Sequence, residues 1–169
     1  MEFGLTFPLQ RFLHRAPSHG ADPFHLHCWD CHVIDLRGRK SLLAVHCASR
    51  WATVLYDLSP TAWDDLFSTL ETGIRVSLLA AGLPTEDADT FLTRGGPHVF
   101  SRTHGRRAVA YLNRAWEDVL RQEYALDPAS RTQPLLEHAL NNAPCRCAGF
   151  DGLGRPLERM AVCIKETLI

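Results

Sequence analysis

The chain has 169 residues, of which 46% are apolar, and a formal net charge of −1. This length and composition predict a single domain spanning 1–169 with its own core, and they exclude a disordered protein. The charge balance excludes broad electrostatic binding to long nucleic acid, because such proteins are strongly basic, so any anion site must be a local patch.

No targeting or membrane signal is evident along the chain. Residues 1–20 lack a basic stretch followed by a continuous apolar one, which argues against a signal peptide. No run approaches the roughly 18 apolar residues of a membrane span. We therefore expect a soluble cytoplasmic protein with no membrane partner, in which the six cysteines are thiols or metal ligands.

Strands are predicted in the first third of the chain. Residues 2–7 predict a short strand, and the polar residues 16–23 predict a loop. The segments 24–36, 41–48 and 51–58 are rich in β-branched and aromatic residues and predict a three-stranded meander. Their short polar connections favour hairpins.

Helices are predicted for much of the remainder. Apolar residues recur at helical spacing over 60–81, and Ser59 precedes this segment as an N-cap. A short helix from Thr85 and a strand at 97–101 follow. A second long amphipathic helix is predicted over 105–124.

The C-terminal segment 131–169 is expected to pack on the rest of the domain. It contains a short predicted helix at 134–142 and a glycine-rich connection. Residues 157–168 fit either a helix or a strand, and Pro156 favours the helix because proline suits the first helical position.

Together these elements predict an α+β fold. A mainly antiparallel sheet would consist of the meander 24–58 and the short strands, with the two long helices packed on one face. The other face would be solvated or covered by the C-terminal segment or by a second copy of the chain. Trp29 and Trp51 would then need a partner surface, so a homodimer is one expectation.

Cys28, Cys31 and His32 fit C-x-x-C-H, the attachment signature of c-type haem. Covalent haem is disfavoured, because no export signal is evident and because Cys28 and Cys31 point to opposite faces of a strand. Zinc is the stronger metal interpretation, with Cys145 and Cys147 as a second pair of ligands. The simplest interpretation is that these cysteines, like Cys47 and Cys163, act as small buried apolar residues.

A basic segment precedes the second long helix. Thr103, His104, Arg106 and Arg107 would converge there with helix N–H groups, which indicates a small anion site. The turn at 37–40 offers further donors. The alternative is that both segments are solvated ends of elements. His104 is also a candidate general base, although the sequence marks no nucleophile.

The order of these features resembles an uncharacterised bacterial family, one of the domains of unknown function. The matching features extend over 24–123, and more weakly to Asn142, Pro144 and Pro156; they are Trp29, His32, Arg39, Lys40, Arg50, WDDLF (63–67), Phe100, Thr103, His104 and Asn113. The chain departs from the family pattern in placing two residues between Trp29 and His32, and in the spacing of arginines after Thr103. The resemblance implies no activity, cofactor or partner.

We therefore expect a non-enzymatic accessory or binding protein that recognises an anionic group. The ligand would be a nucleic acid or a phosphorylated molecule, and the contacting residues would be Thr103, His104, Arg106, Arg107, Arg39 and Lys40. One alternative is a zinc-stabilised structural or interaction protein that uses Cys28, Cys31, Cys145 and Cys147. Another is a small hydrolase or nuclease that uses His104.

Overall fold

The computed structural model describes residues 1–18, 25–147 and 149–169, and its centre is a five-stranded sheet of order β4-β3-β2-β1-β5. The strands are β1 (Glu2–Leu5), β2 (Cys28–Leu36), β3 (Arg39–His46), β4 (Ala52–Leu55) and β5 (Val99–Arg102). The predicted meander is therefore present. Phe24, where its first strand was predicted to begin, and most of the predicted loop 16–23 lie outside the described residues.

Seven helices are found in the described ranges. They are α1 (Phe7–Leu13), α2 (Pro60–Asp64), α3 (Leu66–Ala80), α4 (Thr85–Arg94), α5 (Arg106–Arg121), α6 (Pro134–Asn142) and α7 (Pro156–Leu168), with a 3₁₀ turn at Glu123–Ala125. A small hairpin of β6 (Cys145–Arg146) and β7 (Leu153–Gly154) precedes α7. The helical prediction for 157–168 is confirmed. Within these ranges, no helix combines the length and apolar character that crossing a membrane requires.

The helix predicted over 60–81 is divided into α2 and α3. Ser59 caps α2 as predicted, since its side chain accepts a hydrogen bond from Ala62 N. The chain leaves the helical conformation at Asp65, with φ −108° and ψ 61°. The Asp65 carboxylate accepts a hydrogen bond from Ser68 N at 3.4 Å and caps α3. An aspartate that bonds to nearby backbone competes with helix continuation, which explains the interruption.

The sheet is mixed and mostly antiparallel, which agrees with the mainly antiparallel sheet that the sequence predicts, but it also contains parallel pairs that the sequence did not predict. β2, β3 and β4 form antiparallel pairs, but β1 runs parallel to both β2 and β5. Parallel pairing requires a long crossover connection. The connection from β1 to β2 contains α1, and β5 reaches the sheet only after α2, α3 and α4. The short strand β1 therefore inserts between β2 and β5.

The two long helices pack on opposite faces of the sheet, so the prediction that both cover one face is wrong. Leu42 and Ala44 of β3 join a core cluster with α3, whereas Leu43 and Val45 join a second cluster with α5. Side chains alternate along a strand, and both sets here are apolar, so both faces need a cover.

Trp29 and Trp51, which were expected to need a partner surface, are buried inside the chain. Both lie in the cluster under α3. The C-terminal helices add to the same two clusters: Met160 of α7 joins the first, and Leu136 of α6 joins the second. The two tryptophans therefore do not demand a second copy of the chain.

Side chains of helix α6 also form hydrogen bonds with backbone groups on the outer edge of β4. Asn141 accepts from Ala52 N at 2.7 Å and donates to Ala52 O at 2.9 Å. Glu137, one turn earlier, accepts from Val54 N at 2.8 Å. These side chains replace the backbone partners that a further strand would supply, because buried backbone groups must be paired.

Candidate functional site

A buried cluster of Glu2, Asp30 and His104 lies at the sheet on the α5 side. His104 Nδ1 is 2.7 Å from Asp30 Oδ1, and His104 Nε2 is 3.0 Å from Glu2 Oε1. The three side chains are only 6% (His104), 1% (Asp30) and 10% (Glu2) exposed. Both imidazole nitrogens thus contact a carboxylate in a site largely shielded from solvent.

The strand register brings the two carboxylates to one place. Residue 2 pairs with Cys28 and Gly4 pairs with Asp30 on the adjacent parallel strands. Since side chains alternate along a strand, Glu2 and Asp30 project to the face opposite Phe3 and Trp29. The segment between β5 and α5 then places His104 across them.

Gly4 makes room for this contact. A Cβ atom at Gly4 would overlap Asp30 Oδ1 and would lie 3.0 Å from both His104 Nδ1 and Thr103 Cα. Any larger residue would force the carboxylate or the 103–104 backbone to move. The absence of a side chain at Gly4 is therefore a condition for the His104–Asp30 contact.

The cluster favours a positively charged His104 when no other cation is present. Burial acts to lower the pKa of His104, but the hydrogen bonds and negative charges of Asp30 and Glu2 outweigh it and raise the pKa above its ordinary value. An imidazolium held between two carboxylates compensates one of their two negative charges in the interior. Because both nitrogens are engaged, this arrangement gives little support to His104 as a general base.

A cavity of about 460 Å³ opens beside the cluster. Its walls come from the turn after β3, the start of α5, the loop at 149–150 and α7. The lining residues with titratable or charged side chains are His25, Cys47, Arg50, His104, Arg107, Cys163 and Glu166. The His104 side chain therefore belongs both to the cluster and to the lining of the cavity.

Arg50 is the most unusual of these lining residues. It is only 6% exposed, and its backbone is left-handed, with φ 69°. Its guanidinium lies over the Tyr111 ring, 5.4 Å from the ring centre. Its Nε is buried and has no hydrogen-bond partner among the described residues. In the sequence, Arg50 entered only through the family resemblance, since a single arginine in a hairpin turn carries no recognisable motif.

The structure separates the predicted anion-binding residues. His104 and Arg107 line the cavity, whereas Thr103 and Arg106 are not among its lining residues. Arg39 and Lys40 lie at the other end of the β2–β3 hairpin, about 20 Å from Asp30 at about 3.3 Å a residue. There Lys40 pairs with Asp35 at 3.0 Å and Arg39 with Asp57 at 4.0 Å, both at the surface.

The predicted zinc cysteines are also apart. Cys31 lies in the cluster under α3, on the opposite face from Cys28. Cys145 contacts the Arg159 guanidinium, and the Cys147 thiol donates to Ala48 O. In the described part of the chain, the groups that could hold a metal ion are Glu2–Cys28–His104 and Asp30–Cys47–His104, neither of which contains two of the four predicted ligands.

Comparison with known families places this site in a family context. A family model described as a domain of unknown function, DUF6933, matches residues 3–159, a span that contains Asp30, Arg50 and His104. No curated protein matches the chain. Because the match covers nearly the whole sequence, the chain belongs to the DUF6933 family, a domain of unknown function.

Proposed function

We propose that this protein binds a small anionic ligand in the cavity beside the Glu2–His104–Asp30 cluster, with Arg50 and Arg107 as the contacting groups. The observation that carries this proposal is the burial of the Arg50 guanidinium without a carboxylate partner among the described residues. Its guanidinium is buried, it lines the cavity, and no carboxylate lies within ion-pair distance of it in the described ranges. An anion in the cavity would supply the missing partner.

The free-energy cost of burying the Arg50 charge in a left-handed backbone conformation supports this role. Arginine keeps its charge in proteins, and a buried charge without a counter-ion is expensive. A left-handed backbone at a non-glycine residue costs further free energy and persists where the surroundings enforce it. The guanidinium packs over Tyr111 and contacts the Cys147 thiol, but neither group is a carboxylate, so a bound anion would give Arg50 a counter-ion that the described residues do not provide.

The start of α5 adds a second source of positive potential. Arg107 and Ala108, in its first turn, line the cavity. The N-cap is Gly105, which provides no side-chain hydrogen bond to the first N–H groups. A 16-residue helix places partial positive charge at this end, and free N–H groups favour an anion there.

The cavity also indicates the size and charge of the ligand. A volume of about 460 Å³ suits a small molecule rather than a polymer. Glu166, an exposed carboxylate on α7, lines the same cavity and would repel a polyanion. We therefore expect a ligand with one phosphate or carboxylate group, and the net charge of −1 argues against long nucleic acid.

Calorimetric titration with inorganic phosphate and with phenyl phosphate tests the proposal. Arg50→Gln and Arg107→Gln should each weaken binding by about 10- to 100-fold, the cost of losing a charge-assisted hydrogen bond. Arg106→Gln is the matched control, because Arg106 is the neighbouring exposed arginine of the same turn and does not line the cavity.

Three results would contradict the proposal. The first is that the wild-type protein binds none of inorganic phosphate, phenyl phosphate and benzoate, the last being a carboxylate probe. The second is that Arg50→Gln binds with wild-type affinity, and the third is that Arg106→Gln loses as much affinity as Arg107→Gln.

A further inference from the structure

We propose that Asp30, Cys47 and His104 form a binding site for a divalent transition-metal ion of the zinc class, with an open coordination position facing the cavity. One ligand atom from each side chain can be chosen such that all three lie within 4.8 Å of one another. Nitrogen and oxygen ligands of one tetrahedral ion lie about 3.3 Å apart, so the 2.7 Å contact between His104 Nδ1 and Asp30 Oδ1 must open by roughly half an ångström to admit the ion.

The ligand chemistry selects the class of metal. A thiolate, an imidazole and a carboxylate are the three ligand types of zinc, and the sulfur and nitrogen disfavour magnesium and calcium, which take oxygen ligands. Two anionic ligands, Asp30 and Cys47, would balance a 2+ ion. Three protein ligands with one open position are typical of sites where a metal contacts a ligand or a substrate.

Glu2 supports this assignment from the other side of the imidazole. Its Oε1 lies 3.0 Å from His104 Nε2. A metal-bound histidine usually donates its second N–H to a carboxylate, which fixes the ring and the tautomer. A proton on Nε2 leaves the Nδ1 lone pair directed at Asp30, where the ion would lie. Glu2 is thus a positioning residue for the proposed site.

Access to solvent distinguishes this site from the competing trio Glu2–Cys28–His104. Cys47 and His104 both line the cavity, whereas Glu2 and Cys28 do not. A metal ion can therefore reach Cys47 from solvent, while Cys28 is fully buried at the start of β2. Burial raises the pKa of the Cys47 thiol, and a coordinated ion would offset this by deprotonating it.

Titration of the metal-free protein with Co²⁺, followed by absorption spectroscopy, tests the site. We expect one equivalent to bind at micromolar concentration, with the visible bands of a tetrahedral ion and a near-ultraviolet thiolate-to-cobalt charge-transfer band. Zn²⁺ should remove both signals by competition. The charge-transfer band should disappear in Cys47→Ser and persist in Cys28→Ser, which is the matched control from the neighbouring strand.

A measurement on the wild type keeps the test decisive should Cys47→Ser fail to fold. X-ray absorption of the zinc-loaded protein should show one sulfur neighbour at about 2.3 Å with nitrogen and oxygen neighbours at about 2.0–2.2 Å. The proposal is overturned if the wild type binds neither ion, if no sulfur is present around the zinc, or if Cys28→Ser rather than Cys47→Ser abolishes the charge-transfer band.

The metal site and the anion site are separable by experiment. The metal ligands do not include Arg50 or Arg107, so Arg50→Gln should bind Co²⁺ like the wild type. Cobalt binding without phosphate binding would remove the proposed function and leave the metal site standing. Phosphate binding by a protein that binds no Co²⁺ would remove the proposed metal site and leave the proposed function standing.

Discussion

His104 Nδ1 lies 2.7 Å from Asp30 Oδ1, and the backbone N–H of His104 donates to the same carboxylate at 3.1 Å. One aspartate of the central sheet therefore holds both the side chain and the main chain of the segment that leads into α5. Because that segment forms one wall of the cavity, the placement of α5 depends on a buried polar contact rather than on apolar packing alone.

Loss of the Asp30 charge should therefore destabilise the whole protein. In metal-free protein we expect Asp30→Asn to lower the free energy of unfolding by about 2–3 kcal/mol, because it weakens the two charge-assisted hydrogen bonds that Asp30 accepts from the ring and the backbone N–H of His104. Urea denaturation measures this value. Asp35→Asn is the control on the same strand: Asp35 pairs with Lys40 at the exposed surface, and its loss should cost under about 1 kcal/mol. Equal effects of the two variants would contradict the account.

Gly4→Ala should separate His104 from Asp30. The added methyl group would overlap the Asp30 carboxylate, so either that side chain or residues 103–104 must move. We expect a loss of about 1–3 kcal/mol, as for other overpacked sites, together with weakened phosphate binding. Thermal unfolding and calorimetric titration measure the two effects. Wild-type values in both would show that the cluster tolerates a Cβ atom at this position.

Glu137 should make the stability of the protein depend on pH. Burial raises its pKa to about 8, against the hydrogen bonds from Ser77 and Val54, compared with an ordinary value of 4.5. Between these two values the unfolded chain releases a proton that the folded protein retains, so unfolding becomes easier as the pH rises. Stability should be greatest below about pH 4.5, as far as this residue is concerned, and should fall towards pH 8.

The free energy of unfolding can fall by at most about 1.4 kcal/mol per pH unit when a single proton is involved. Glu137→Gln keeps a side-chain amide that can accept from Val54 N and donate to Ser77 Oγ, and it cannot ionise. Urea denaturation between pH 5 and 8 should therefore give a flatter profile for the variant than for the wild type. Parallel profiles would show that Glu137 is not the responsible group.

Replacing Asn141 should lower the free energy of unfolding more than replacing its neighbour Asn142. Replacing Asn141 with leucine would leave both Ala52 N–H and Ala52 C=O without the partners that they have now. Each unpaired buried group costs about 1–3 kcal/mol, so we expect a loss of about 2–5 kcal/mol. Asn142→Ala removes only exposed contacts, to His138 and Arg155, and should change the free energy of unfolding by less than about 1 kcal/mol. A larger effect at Asn142 would contradict this interpretation of the β4 edge.

Local sequence signals predicted much of the fold. The meander, the N-cap at Ser59 and the amphipathic stripe of α5 all follow from contacts within a few residues. Cys28 and Cys31 lie on opposite faces of β2 as predicted, since a two-residue period needs no tertiary information. The parallel pairing of β1, in contrast, depends on which partners a four-residue strand meets after a long crossover.

The site was only partly predictable, because its residues converge from distant positions. Glu2, Asp30 and His104 belong to three different segments, and nothing in the sequence links them. His104 and Arg107 were singled out because a helix start is a local feature. Arg50 is named only through the family resemblance and is not predicted as a site residue, because its importance lies in burial and in a left-handed turn. Cys47 was interpreted as a small apolar residue, since its proximity to Asp30 and His104 appears only in three dimensions.

The most direct test of the account is the NMR signal of the Arg50 side-chain Nε–H during titration with inorganic phosphate, assigned by its loss in Arg50→Gln. This group is buried and without a partner in the described part of the chain, so an anion in the cavity should give it one. We predict a saturable change in its chemical shift and slower exchange with water, with little change at Arg106. A signal that stays constant while phosphate binds elsewhere, or does not bind, would contradict the account.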